Sequence, residues 1–464
     1  MNDTFRLGVV RGISYGLFGP PGEFVPQARA LGAGLVRAYL YWSQIEPEPG
    51  RLDWTATDAL LAQLEAEPGV EAWVTVCSSS PWATRQATTF LPPSPAKDPA
   101  AYERFAEALV RRLRGRIRYL QCDNEPSNAG LLWAGSADEY VTQLRALHRA
   151  AQAFDPDLLV VLGGCGYDVL SSPPDSEARA FFDRVLDTGR DAFDVFDVHL
   201  YGPPGNVPDY VAQAREMMRR HGYDRPVVAG EQAGPVLFEF PELDPVLTEA
   251  FQSMPADATD LVELAGQDTP ERRAMASLYR RIDELPPRLQ MLMEGCPGEL
   301  SAKRDRIAGR QLVVRTVLAL AAGVDRIAYW NLAPEVAGYH DRYQMMDLLF
   351  GRLPLLDFAA TGALTRRNAA AGTFALLAGE LAGATAVQRR GAGYRVERPE
   401  RGPLWIVWAD GDTFDGEDDA PVPVTLPWDS AAASAIDAFG APVPVRCDGG
   451  SLTVAATVTP VFIS

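Results

Sequence analysis

The stretch IRYLQCDNEP, residues 117–126, passes from apolar residues into Asp123, Asn124, Glu125 and Pro126 within a few positions. An apolar run of this length, bounded by polar residues, reads as a strand buried on both faces in a parallel sheet. The strand is expected over 118–125, with Pro126 halting it because proline offers no N–H to a ladder. An ionisable Glu125 therefore closes a buried strand, and the rest of the chain decides which sheet that strand joins.

Seven more runs of the same kind follow the same rhythm: RGISYGLF (11–18), LVRAYLYW (35–42), EAWVTVCS (71–78), LLVVLGG (158–164), FDVFDVHLY (193–201), PVVAGEQ (226–232) and DRIAYWNL (325–332). Amphipathic stretches such as TATDALLAQLEAE and AAYERFAEALVRRLRG lie between them, with apolar residues at i, i+3 and i+4. Ser136, followed by Ala137, Asp138 and Glu139, is a suitable first turn for one of these helices. Eight strand–helix units predict an α/β chain with a (β/α)8 TIM barrel over residues 1–382, a fold whose chemistry sits at the carboxyl ends of its strands. Polar and aromatic residues gather at those ends: Ser78 to Trp82, Asp123 to Glu125, His199 with Tyr201, Glu231, and Trp330 with Asn331. The spacing breaks twice. Residues 235–304 form an inserted helical segment with the position of a lid, and residues 383–464, rich in β-formers separated by Pro, Gly and Asp, predict a small C-terminal all-β domain of sandwich type.

Composition narrows the partners. The net charge of −18, from 61 acidic and 43 basic residues, opposes binding to nucleic acid or an anionic membrane. Five cysteines without CxxC spacing suggest reduced thiols, with neither a disulfide framework nor a zinc site. MNDTFRLGVVRG lacks an apolar signal core and no run reaches the roughly 18 apolar residues of a membrane span, so a cytoplasmic location is expected.

A carboxyl at the tip of a buried strand loses hydration, which raises its pKa and suits Glu125 to proton donation. Glu231 ends the seventh strand in the same way, and strands four and seven of a barrel face each other across one cleft. Two opposed carboxyls are what glycosidic cleavage needs, one protonating the leaving oxygen and the other attacking the anomeric carbon or activating water. Asn124 could donate to a sugar hydroxyl or settle a local turn. Arg37 could keep Glu231 ionised or pair elsewhere. His199 and Tyr201 share one strand face, the tyrosine placed to bond the second carboxylate and the histidine either structural or a sugar ligand. Trp330 offers a flat indole to a pyranose, and Trp42, Trp82 and Trp133 either wall subsites or pack. No GxSxG, HExxH, GxxxxGK[ST] or GxGxxG motif stands where its chemistry requires, and the four histidines do not suggest a metal centre. No cofactor is called for.

The NEP tripeptide, with LLWAGSADEYVTQLRALHRAAQAFDPDLLVVLGG after it, resembles the acid/base region of glycoside hydrolase clan A, and most of all family 39 and its relatives. VRAYLYWSQIEPEPGRLDW, FDVFDVHLYG, PVVAGEQAG and AYWNL are similar to the clan's second, sixth, seventh and eighth strand segments, and the tail GAPVPVRCDGGSLTVAATVTPVFIS to its closing β-domain. The resemblance implies a retaining β-glycosidase acting on oligosaccharides or small glycosides, with Glu125 as general acid/base and Glu231 as nucleophile. It further implies Asn124 on the 2-hydroxyl, with Tyr201 and Arg37 beside the nucleophile. The alternatives are an endo-acting glycanase of the same clan and a catalytically silent carbohydrate-binding barrel. The chain departs from the family pattern at Asp123, where tryptophan is usual, at Gly230, where threonine is common, and in the length of the 235–304 insertion.

Overall fold

A computed structural model describes residues 4–254 and 266–464, so residues 255–265 of the expected insertion lie outside the described residues. Eight parallel strands form one sheet: β1 (Arg6–Val10), β2 (Leu35–Tyr41), β3 (Glu71–Cys77), β4 (Tyr119–Cys122), β5 (Leu159–Val161), β6 (Phe196–Leu200), β7 (Val227–Gln232) and β8 (Arg326–Tyr329). Their order, β5-β4-β3-β2-β1-β8-β7-β6, becomes a ring through the parallel bridges Val161–Val195 and Cys165–Val198. Eight helices follow the strands in turn: α1 (Val25–Ala30), α2 (Thr55–Ala66), α3 (Pro99–Leu113), α4 (Ala137–Phe154), α5 (Glu177–Thr188), α6 (Val207–Arg220), α7 (Gly298–Ala321) and α8 (Ala369–Glu380). The chain is a (β/α)8 barrel followed by β-sheets.

The first strand is not where the pattern put it. RLGVV, five residues earlier, pairs with β2 and β8, whereas RGISYGLF is a succession of turns in which Gly12 and Gly16 adopt φ of 101° and 67°. Those values belong to glycine and interrupt extended backbone. The expected start of α4 is found as predicted: Ser136 Oγ accepts from the Glu139 amide at 3.3 Å, and the Glu139 carboxylate accepts from the Ser136 amide at 2.9 Å.

Strand alternation builds the interior in layers. Leu35, Trp73, Tyr119, Val161, Val195 and Val228 fill the bottom of the ring. Residues two further along β2 to β4, Arg37, Thr75 and Gln121, make a polar layer above, and the Arg37 guanidinium lies 4.9 Å from the Trp73 ring centroid. The stretch after β7 folds on a core of its own, centred on Phe240, Leu247, Met275, Leu278 and Leu289, and includes helices Asp244–Gln252 and Pro270–Arg280. It ends sooner than expected because α7 begins at Gly298.

From Ala386 onward a five-stranded and a three-stranded antiparallel sheet follow. In Leu404–Val407, Leu404 and Ile406 join the barrel's hydrophobic core while Trp405 and Val407 join a second core shared with Val424, Leu426, Leu452 and Val454 of the smaller sheet. One strand with period-two alternation thus fastens the β-region to the barrel on one face and to its partner sheet on the other.

Candidate active site

β4 stops at Cys122, and the next residues turn sharply, with Asp123 at φ 52° and Glu125 at φ 39°. Left-handed backbone costs a residue with a Cβ about 1–2 kcal/mol, so something must hold it. Asp123 supplies the hold: its Oδ1 accepts from the Ser78 amide at 2.6 Å and its Oδ2 from the Ser78 hydroxyl at 2.8 Å. Burial pushes this carboxyl up to about 7, against the pull of those bonds. The turn delivers Glu125 to the ring's mouth, where 15% of its side chain stays accessible.

Glu231, near the end of β7, is surrounded by donors. Its Oε1 accepts from Arg37 Nη1 at 2.9 Å and Tyr39 Oη at 2.7 Å, and its Oε2 accepts from Tyr201 Oη at 2.8 Å. The Arg37 side chain is fully buried and every branch is used: Nη1 also reaches the Gly230 carbonyl at 3.1 Å, Nη2 donates to Gln121 and Asn124 at 2.6 and 2.8 Å, and Nε to Thr75 at 3.0 Å. Because the Asn124 carbonyl oxygen is taken by Arg37, its amide N–H groups are the part left to face the cavity.

His199 stands between the two glutamates. Its Nδ1 lies 2.5 Å from Glu125 Oε1 and 3.4 Å from Glu231 Oε2, and its Nε2 lies 3.1 Å from Asp197 Oδ2. Burial alone would lower the imidazole, but Glu231, Asp197 and Glu125 push it up to about 10. The Glu125 carboxyl is itself raised by burial, with His199 pulling the other way and Glu231 and Asp168 adding to the rise. Arg37 and His199 thus stand as cations beside carboxyl groups, Arg37 against Glu231 and His199 between Glu125 and Asp197, the pairing that a buried cation requires. A cationic His199 donates from both nitrogens, toward Glu125 and Asp197.

Gly230 explains how Asp197 fits. A Cβ on Gly230 would lie 2.5 Å from Asp197 Oδ2 and 2.6 Å from Oδ1, so the carboxylate occupies the space a larger residue would need. The Gly230 amide donates to Asp197 Oδ1 at 2.5 Å, while Gln121 Nε2 donates to Oδ2 at 2.8 Å. Glycine at 230 and the buried acid at 197 are thus counterparts in one packed space.

Glu125 and Glu231 open into one cavity of about 470 Å3 whose wall also includes Asn124, Tyr201 and Trp330. Arg37 and His199 do not reach it. Arg37, grouped with the substrate-binding residues as a partner of Glu231, does pair with it, and His199, offered as a sugar ligand or a structural histidine, takes the structural place; both lie behind the carboxylates, fully buried, with their donors spent on Glu231, Glu125 and Asp197. Trp42 and Trp82 also require correction. Neither lines the cavity: Trp42 opens a short helix, Trp42–Ile45, stacks on Phe105 at 5.0 Å and donates to Glu46, and Trp82 packs edge-on against Trp42 and donates to the Glu46 carbonyl. Trp133 is buried against Tyr140 and bonds the Ser136 carbonyl. Tyr39, Gln121 and Asp197 went unread, although strand parity marks them, two positions from Arg37, at the level of Thr75 and two from His199. Asp168, in the short helix Tyr167–Leu170, and Glu335, in the loop after β8, line the cavity with no comparable periodic signal.

Glu125, His199 and Glu231 each bring a donor atom within 4.8 Å of the other two, the one group among the described residues close enough to hold a metal ion. The set fits a cation poorly, because His199 is committed on both nitrogens and each Glu231 oxygen already accepts from a phenol. No described helix is long and apolar enough to cross a membrane.

Fold and site together define a (β/α)8 barrel with a facing carboxylate pair at the mouth. Solved structures share this architecture over the whole chain. A family 39 glycoside hydrolase from Bacteroides cellulosilyticus WH2 superposes with a TM-score of 0.62 at 14% identity, covering 100% of this chain and 81% of that one. A glucosidase from Croceicoccus marinus and a family 39 β-xylosidase from Caulobacter crescentus each give 0.57, at 15% and 13% identity, covering 100% of this chain and 96% of theirs. No family model and no curated protein matches the sequence.

Proposed function

We propose that the protein is a retaining β-glycosidase of the family 39 type, with Glu125 as general acid/base and Glu231 as nucleophile. The observation that carries this reading is the pair itself: oxygens of the two carboxyls lie within 4.8 Å of each other in one cavity. Retaining enzymes hold their carboxyls about 5–5.5 Å apart, whereas inverting enzymes leave about 6.5–9.5 Å for a water. The two environments differ in a way that suits an acid and a nucleophile. The Glu125 carboxyl is raised by loss of hydration, which suits it to protonate the leaving oxygen. Glu231 is bonded by a guanidinium and two phenols, which hold it aimed at the anomeric carbon.

When Glu231 attacks the anomeric carbon, the C–O bond to the leaving group breaks and the Glu125 proton passes to that oxygen. Glu125 then takes a proton from water, and the water oxygen displaces Glu231 from the glycosyl-enzyme. His199, still cationic, stabilises Glu125 as it becomes a carboxylate. Asn124 meets the 2-hydroxyl, where a bond that tightens in the oxocarbenium-like transition state counts most. Trp330 floors the sugar. The shared architecture of the family 39 structures supports this reading, as do the strand-end motifs. A cytoplasmic site of action on imported glycosides is consistent with it.

The test is a screen of aryl β-glycosides with the wild type and Glu231→Ala, following the first-formed sugar by NMR. Cleavage with retained anomeric configuration, abolished in the variant, is expected. A first product of inverted configuration would refute the double displacement, and undiminished cleavage by the variant would remove Glu231 as nucleophile.

A further inference from the structure

Beyond the carboxylate pair, the cavity wall is predominantly apolar. Much of it comes from one source. Phe238, Phe251 and Met254, after β7, and Met346 and Phe350, after β8, are half-buried side chains resting on the second hydrophobic core, with the rest of their surface in the cavity. Leu131 and Leu132, in the loop that follows Glu125, are half-buried and line the same space. These are aliphatic, thioether and phenyl surfaces. A second sugar ring would need a ring of hydrogen-bonding partners there, because its hydroxyls lose water on entry and must be repaired one by one.

The ionisable part of the wall has one sign. Besides Glu125 and Glu231 it holds Asp168, Glu271, Glu335, Asp341 and Asp347, with His340 at the exposed edge and no lysine or arginine among the described lining residues. The cations that compensate these acids stay outside: Arg272 on Asp341 and Arg352 on Asp347. A sugar bearing a carboxylate or phosphate would lose its hydration among these carboxyl groups and meet no lysine or arginine on the described wall to replace it.

We infer that the site takes an uncharged glycoside whose aglycone is an alkyl or aryl group, seated against Leu131, Leu132, Phe251, Met254 and Met346, in preference to an oligosaccharide or an acidic sugar. This deepens the glycosidase reading and rests on it for the cleavage step, but the apolar subsite can be read without any cleavage.

Two measurements separate the two claims. In the first, the neutral fluorophore N-phenyl-1-naphthylamine is added to the whole protein, then challenged with octyl glucoside, methyl glucoside or cellotriose. Displacement by the octyl compound alone is expected, with a weaker signal in Phe251→Ser and Met346→Gln variants of unchanged melting behaviour. In the second, kcat/KM is compared across methyl, butyl and octyl β-glycosides of the sugar found by the aryl screen. Each buried methylene should raise it about two- to fourfold until the wall is filled, so octyl should exceed methyl by about a hundredfold or more. Each variant should lower that octyl-to-methyl ratio about tenfold. A flat series, a preference for the trisaccharide, failure of the octyl compound to displace the fluorophore, or equal cleavage of a matched uronide overturns the proposal. Fluorophore displacement with every glycoside left intact upholds the apolar subsite and refutes the hydrolase.

Discussion

Replacing Asp197 with asparagine tests the charge arrangement on which the site rests. Asp197 accepts three N–H groups, from Gly230 at 2.5 Å, Gln121 at 2.8 Å and His199 at 3.1 Å, and the three divide between its two oxygens. An asparagine keeps one acceptor oxygen and turns an NH2 group toward the other donors, so at least one buried N–H loses its partner. The variant also removes the carboxyl group that His199 Nε2 faces at 3.1 Å. Breaking a buried ion pair from one side costs about 3–5 kcal/mol, and that is the expected loss of unfolding free energy near pH 7. The bond from His199 is charge-assisted, worth about 1.5–3 kcal/mol, equivalent to about 1–2 pKa units. The imidazole, held at about 10, should therefore titrate roughly one to two units lower. The sign follows from its raised folded value. Stability from protonated His199 is complete below its unfolded value near 6.5 and is lost as pH rises through about 10 in the wild type, and through a lower pH in the variant. Imidazole NMR is practical because the chain has four histidines, and the His199 signals are those that vanish in His199→Gln. A wild-type His199 that titrates near 6.5, or a variant with the same titration and the same denaturant midpoint, would refute the pairing of His199 with Asp197.

Other substitutions probe separate supports of the same site. Tyr201→Phe leaves Glu231 Oε2 with only His199 at 3.4 Å, whereas Tyr39→Phe leaves Oε1 still paired with Arg37, so kcat/KM on an aryl glycoside should fall in both, by about ten- to a hundredfold, and further in Tyr201→Phe. Gly230→Ala drives a methyl into Asp197 and should cost about 1–3 kcal/mol in a denaturant titration, whereas the same substitution introduced into an Asp197→Gly chain should cost less than it does in the wild type because the space is clear. Trp42→Phe should lower the melting temperature while leaving KM for a small glycoside unchanged, since the ring packs on Trp82, Tyr102 and Phe105; a large rise in KM would return Trp42 to the substrate. As pH rises, kcat/KM should decline as Glu125 loses the proton it donates, an alkaline limb lying above the ordinary carboxylate range and absent with substrates whose leaving group needs no protonation.

The repeating barrel was legible because strands buried on both faces leave apolar runs that end where the backbone meets solvent, and those ends carry Glu125 and Glu231. Local pattern located the helix start at Ser136 for a similar reason, since its capping bonds span only three residues. The first strand escaped because five residues, RLGVV, carry less signal than the glycine-punctuated RGISYGLF beside them, and only pairing with β2 and β8 distinguishes them. Trp42 was misplaced because period-two alternation stops at Tyr41: the chain turns helical there and swings the indole out to the helical layer. Arg37 was recognised as a partner of Glu231, whereas His199 stayed open between a structural place and a sugar contact. Their depth depends on which of several polar side chains fill the cavity-facing layer, a question of registry around the whole ring. By itself the sequence determined a parallel barrel with two acids at strand ends, because burial and periodicity act between near neighbours in the chain. Tertiary structure alone decided that the two acids meet within 4.8 Å, that His199 stands between them, and that Asp197, 33 residues from Gly230, fills the space its missing side chain leaves, because electrostatic balance and packing depend on distances that only the closed ring sets.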